Sequence, residues 1–314
     1  MSLAWISVAA LLLAVILSCT TTINIGVLSI ALALIVGVFL GGMSPDAVLA
    51  GFPTDLLITL VSVTLLFSIA NCNGTLARLT DYAVRLCRGN ALALPFMFFM
   101  VGFFIATIGA GATPASALLA PPAMAAAARA RISPLLMAIM AGNGVLAGTL
   151  SPFAPTGIVA HGVMERIGLG GYEWYTFGYN AFAHALVGVV GFALLGGWKI
   201  LRSGGREVNV DGIAEGIDSS EDTSEMSTQH WLTTTGIVVL IVAVVGFSME
   251  VGMAAIIIAA VLLLLGTVDE SKAIKNMPWG VILMVTGVTV LISMLRETQG
   301  LDLITTGIAT VSSA

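Results

Sequence analysis

Two stretches of this chain carry residue types from which an ion site can be built without charged side chains. The first reads GAGATPASALLAPPAM over 109–124, and the second AGNGVLAGTLSPFAPTG over 141–157. In the second, four glycines, two prolines, Asn143, Thr149, Ser151 and Thr156 fall within seventeen residues. Glycine and proline at that density interrupt a helix. An interrupted helix exposes free N–H groups at one end, free carbonyls at the other, and a half-helix dipole. The N–H end holds an anion with no lysine or arginine. The carbonyl end can coordinate a small hard cation such as sodium. Glycines also let membrane helices pack closely, and one Gly-rich stretch alone reads that way. Two in tandem, both with proline and hydroxyl residues, read as a binding site.

The elements that must position these stretches are helices in a bilayer. Hydrophobic residues make up 58% of 314 positions, charged residues 9%, and the mean hydropathy is +1.05. Several runs approach the roughly 20 apolar residues that cross a membrane. The expected fold is an all-α polytopic membrane protein. Spans are expected at 3–19, 24–42, 55–71, 178–198, 232–248, 250–267 and 279–295. The first lacks the basic flank and cleavage site of a signal peptide and reads as a helix. Cys19, Cys72 and Cys87 have no metal-ligand spacing and read as apolar residues.

Residues 91–127 and 134–162 are hydrophobic but broken. In the former, the limb after the Gly/Thr/Pro tip, about 115–128, would be only ~21 Å long against a ~30 Å hydrocarbon core. It also contains Pro121 and Pro122. A re-entrant hairpin over about 91–128 is expected, with its tip covered by protein. A broken helix is expected over about 134–162.

The chain also repeats itself. Pro53, Val63, Thr64, Leu66 and Ser68 match Pro278, Val288, Thr289, Leu291 and Ser293 at an offset of 225. One inserted residue later, Gly74, Thr80 and Ala83 match Gly300, Thr306 and Ala309. Basic clusters fall at Arg78/Arg85/Arg88, Arg129/Arg131, Lys199/Arg202/Arg206 and Lys272/Lys275. All four are cytoplasmic together only if 55–71 runs inward and 279–295 outward. The two repeats then have opposite orientation, the inverted arrangement typical of transporters. Residues 75–88 place Leu76, Leu79, Tyr82, Ala83 and Leu86 at helical spacing and read as a helix on the cytoplasmic surface.

The organisation read from this is a first repeat over 1–202, a linker over 203–230 and a second repeat over 231–314. The linker carries seven acids and one base, a net of −6 within a chain of −5, so the remainder is +1. It reads as a solvated connector on the cytoplasmic side. The first copy continues through the two broken stretches, while the second ends at Ala314 before a counterpart could begin. The expectation is a fragment or truncated relative. The rival reading is a non-transporting membrane subunit that needs a partner to complete its site.

Asp55 and Glu250 stand at the first positions of two expected spans, and no Asp or Glu falls inside one. Arg129 and Arg131 read as topology determinants, and His161 and His184 as interhelical hydrogen-bonding residues. Without HExxH, GxSxG or paired intramembrane carboxylates, an enzyme is not expected.

On the two signatures, the chain resembles the malonate/dicarboxylate carrier (MatC-type) family of the ion transporter superfamily, related to the divalent-anion:sodium symporters. The resemblance covers about 20–200, and the repeated part of 232–314 by architecture. It implies an ion-coupled, elevator-type secondary transporter of small dicarboxylates, homodimeric, in the cell's inner (plasma) membrane. Where those symporters carry Ser-Asn-Thr at a hairpin tip, this chain has Gly111-Ala112-Thr113-Pro114. The implied substrate contacts are Thr113 and Ser116 in the hairpin, and Asn143, Gly148, Thr149, Ser151 and Thr156 in the broken helix. A sodium site is implied near Gly111, Asn143 and Thr149, and sodium is favoured over protons because the region is rich in carbonyls and hydroxyls.

Overall fold

The computed structural model describes residues 2–87, 90–198, 200 and 226–312. Arg88, Lys199, Arg202, Arg206 and the acidic run of the linker lie outside the described residues. Every regular element of any length among the described residues is helical. In chain order these are α1 Leu3–Thr20, α2 Ile25–Leu34 with a π-helical turn Ile35–Leu40, α3 Pro45–Leu49, α4 Thr54–Cys72 and α5 Thr75–Leu86. Then come α6 Ala93–Ile105 with a π-helical turn Ala106–Ala110, α7 Ala112–Ala130, α8 Pro134–Gly148, α9 Pro155–Arg166 and α10 Glu173–Phe192, continued by Ala193–Gly197. The last five are α11 Thr228–Phe247, α12 Val251–Leu264, α13 Glu270–Lys275, α14 Trp279–Glu297 and α15 Gly300–Ser312.

Six described helices are long and apolar enough to cross a bilayer: α1, α4, α6 with its π turn, α10 with its extension, α11 and α14. Large apolar side chains stand exposed along them, such as Leu12 and Ile16 on α1, Tyr179 and Phe182 on α10, and Val238 and Val242 on α11. Water would not tolerate such surfaces; hydrocarbon does. The protein is a multi-pass membrane protein. The expected spans at 24–42 and 250–267 are shorter than read, because Gly42 and Gly266, both at positive φ, close the second helix of each set. The linker also ends earlier than read. Ser227 caps α11 by accepting from His230 N (3.4 Å), and His230 Nδ1 accepts from Ser227 N (3.2 Å), so helix begins inside 203–230.

The chain forms two compact units that do not follow the repeat boundaries. The first comprises 1–58 and 278–314. Its core joins Ala10, Ala14, Ala33 and Val36 to Leu291, Met294 and Leu295. Gly26 of α2 and Gly287 of α14 each face the other helix's backbone, the close approach that small residues permit in membranes. The second unit comprises 59–277. At its centre α8 packs against α6, α7 and α10. The helix α5 rests on α6 and α11 with Leu76, Thr80 and Val84 buried, while Tyr82 and Leu86 stand exposed, so only part of the apolar face read from sequence turns inward.

The offset of 225 recurs in helix bounds and in bonds. The helix α4 Thr54–Cys72 and α14 Trp279–Glu297 are each 19 residues long and start 225 apart. Ser44 caps α3 by accepting from Ala47 N (3.2 Å), and Asp269, 225 residues on, caps α13 by accepting from Lys272 N (2.9 Å). Asn24 accepts from Gly26 N and Glu250 from Gly252 N, both at 2.8 Å. In the first unit Thr298 Oγ1 donates to Ser7 Oγ (2.8 Å). In the second, Asn73 Nδ2 donates to Thr233 Oγ1 (2.7 Å). Double-mutant cycles on these two pairs, read by unfolding, are expected to return similar couplings of about 0.6 kcal/mol each. Coupling in one pair and none in the other would contradict their equivalence.

Candidate functional site

The first signature folds as two helices joined at a glycine turn. Within the π-helical turn Gly109 takes φ 124°, and just after it Gly111 takes φ 81°, a region that side chains rarely adopt. A methyl group at Gly109 would also overlap the Phe67 ring and lie 2.8 Å from Phe153 O. The next helix starts at once, and α7 runs for 19 residues, about 28 Å at 1.5 Å per residue. The expected short limb of 115–128 is therefore too short. Ala112 to Pro114 form the first turn of α7, and Pro121 and Pro122 lie inside the helix rather than ending it. Proline is tolerated inside membrane helices because neighbouring groups re-satisfy the freed carbonyls.

The second signature breaks where its glycines and prolines are densest. The helix α8 ends at Gly148, residues 149–154 are irregular, and Pro155 opens α9. Ser151, fully buried, fastens this break to the hairpin: its hydroxyl donates to Thr107 O (2.6 Å) and accepts from Phe153 N (3.2 Å). Gly148 and Gly144 press against the backbone of α6, at Phe103 and Phe99. These two glycines serve packing.

The consequence is that two helix N-termini meet. A methyl group at Gly111 would lie 3.5 Å from Pro155 Cγ. Neither α7 nor α9 has a side-chain cap. Each first turn carries one proline, which has no N–H, and one exposed threonine at its second position, Thr113 and Thr156. The first-turn N–H groups of Ala112, Thr113, Thr156 and Gly157 have no acceptor within their own helix. Each terminus carries a half-dipole of about +0.5 charge. Ser116, also exposed, lies one turn along α7 on the same face as Thr113.

Other residues read from sequence sit elsewhere. Asn143 lies six residues before Thr149, about 9 Å along the helix. Its Nδ2 donates to Ile139 O and its Oδ1 meets His184 Nδ1, both at 2.9 Å. His184 is thus an interhelical bonding residue between α10 and α8. Thr149 donates to Leu146 O (2.7 Å) and keeps its hydroxyl lone pairs. Arg129 and Arg131 stand at the far end of α7, about 24 Å from Thr113.

One residue was missed. Asn180 Nδ2 on α10 donates to Leu146 O (2.9 Å) and Ala147 O (3.1 Å), carbonyls at the broken end of α8. A signal was present: Thr176, Asn180 and His184 recur every four residues on an otherwise apolar helix.

Residues 1–149 match the family model described as Dicarboxylate carrier protein MatC N-terminus. Over that stretch, a little under half of its length, the chain is similar to the MatC-type dicarboxylate carriers. The match spans the whole hairpin and α8, with Thr113, Ser116, Asn143, Gly148 and Thr149; Ser151 and Thr156 lie beyond it. The description of that model is of a dicarboxylate carrier, a transporter rather than an enzyme. No curated protein matches the chain.

Proposed function

We propose that the protein is an ion-coupled secondary transporter of malonate- or succinate-like dicarboxylates, with an elevator-type cycle. The observation that carries this is the meeting of two uncapped helix N-termini at Gly111 and Pro155. Their N–H groups and the hydroxyls of Thr113 and Thr156 receive the two carboxylates, with Ser116 beside them. Ser151 holds the two ends together. Sodium, the coupling ion in this reading, takes carbonyl and hydroxyl oxygens around Gly111 and Thr149, with Asn143 too far along α8 to join them, and offsets the substrate's second charge.

The inverted arrangement of the repeats rests on the basic clusters and is supported by the matched helix bounds and caps. With it go a cytoplasmic linker, residence in the inner membrane and a homodimer. The test is uptake of labelled malonate into vesicles bearing the protein. Accumulation under an inward sodium gradient, competed by succinate and lost when the gradient is collapsed, is expected. Uptake equal to that of empty vesicles would sink the proposal.

A further inference from the structure

A helix that stops inside a membrane leaves its last carbonyls without donors, and hydrocarbon supplies none. The carbonyl of Ala147, just before the break at 149–154, is such a group, while that of Leu146 accepts from Thr149 at the break itself, through its N–H (3.2 Å) and hydroxyl (2.7 Å). Proline at 152 and 155 prevents the chain from repairing the break by winding on. A donor from another helix serves both: Asn180 Nδ2 on α10 reaches Leu146 O at 2.9 Å and Ala147 O at 3.1 Å. One turn deeper, His184 holds Asn143 of α8 (2.9 Å). Because Asn143 spends its amide hydrogens on Ile139 O, its oxygen is the acceptor, and His184 Nδ1 must carry the proton. On the other side of the break, Thr176 Oγ1, which donates to Tyr172 O (3.0 Å) of its own chain segment, lies 3.8 Å from Met164 Sδ of α9. A single polar stripe on α10 therefore holds the α8 half of the broken helix and touches the α9 half.

We propose that Asn180 is a positioning residue for transport. By capping the broken end of α8 it fixes the path of 149–154, and with it the Ser151 clasp and the N-terminus of α9. It touches no substrate. The inference rests on the transporter reading for its consequence, but not for its geometry.

The test has two arms on the purified full-length protein and its Asn180→Leu variant. Amide exchange over 146–158 is expected to quicken at least tenfold in the variant, with exchange in α1 and α14 unchanged. Malonate uptake is expected to show KM raised at least tenfold with Vmax within threefold, whereas a residue needed only for folding would lower Vmax by reducing active protein. Unchanged exchange over 146–158, or an unchanged KM, overturns the proposal. Should the leucine variant not fold, Asn180→Asp, which keeps the shape and loses donors, carries the same test. If the native protein takes up no malonate, the transporter reading fails while the exchange arm still decides the positioning claim.

Discussion

Replacing Thr113 with aspartate is expected to leave the protein folded and to abolish the malonate binding proposed for it. Thr113 is the second residue of α7, and a carboxylate there complements the helix dipole by about 0.3–1 kcal/mol. The unfolding temperature of the variant is therefore expected to equal or exceed that of the native protein. Substrate binding moves the other way. A fixed carboxylate at about 5 Å from one substrate carboxylate would repel it by about 3 kcal/mol at an effective dielectric of 20. That corresponds to a loss of about 100-fold in affinity. The opposite signs separate a damaged site from a damaged fold. Titration of malonate into the purified variant, beside a melting curve, checks both. Normal binding by the variant would place the site elsewhere.

Gly109→Val has the second largest expected effect, and it acts through geometry. The native φ of 124° is strained for any residue with a side chain, at about 1–3 kcal/mol. The added carbon also meets the Phe67 ring and the backbone oxygen of Phe153. The ring can turn, but the backbone oxygen is held by the break. The hairpin tip must lift from 151–155, separating the two N-termini. Malonate uptake is expected to fall at least tenfold, with a lower unfolding temperature. Gly142→Ala, in the other signature, is the control. Nothing lies within 4 Å of a methyl group there, so it is expected to be neutral or to stabilise α8 by about 0.5–1 kcal/mol. Equal transport by both variants would remove the tip from the mechanism.

The breaks were legible because glycine and proline act locally. Gly148 to Pro155 interrupt a helix whatever surrounds them, and the structure breaks there. The length of α7 was not legible, because two prolines argue for a short limb unless neighbours are known to satisfy the freed carbonyls. The roles of the glycines were only half legible. Gly144 and Gly148 pack against α6, while Gly109 and Gly111 make the turn, and composition does not distinguish the two uses.

The matching of the two helix sets was legible only from Pro53 onward, where residue identities coincide. Upstream the correspondence is chemical. Ser44 and Asp269, or Asn24 and Glu250, cap corresponding helices with different side chains, since any oxygen acceptor at that position serves. Asn180 escaped notice for a related reason. One amide on an apolar helix has meaning only when its partner carbonyls, more than thirty residues away in sequence, are placed beside it.

The measurement that bears most directly on the central claim is amide exchange of the purified protein with and without malonate in sodium buffer. The two-N-terminus site predicts slowed exchange in both 107–118 and 149–162, with the rest of the chain little changed. Malonate that binds but slows neither stretch, or slows only the region around Arg129 and Arg131, would contradict it.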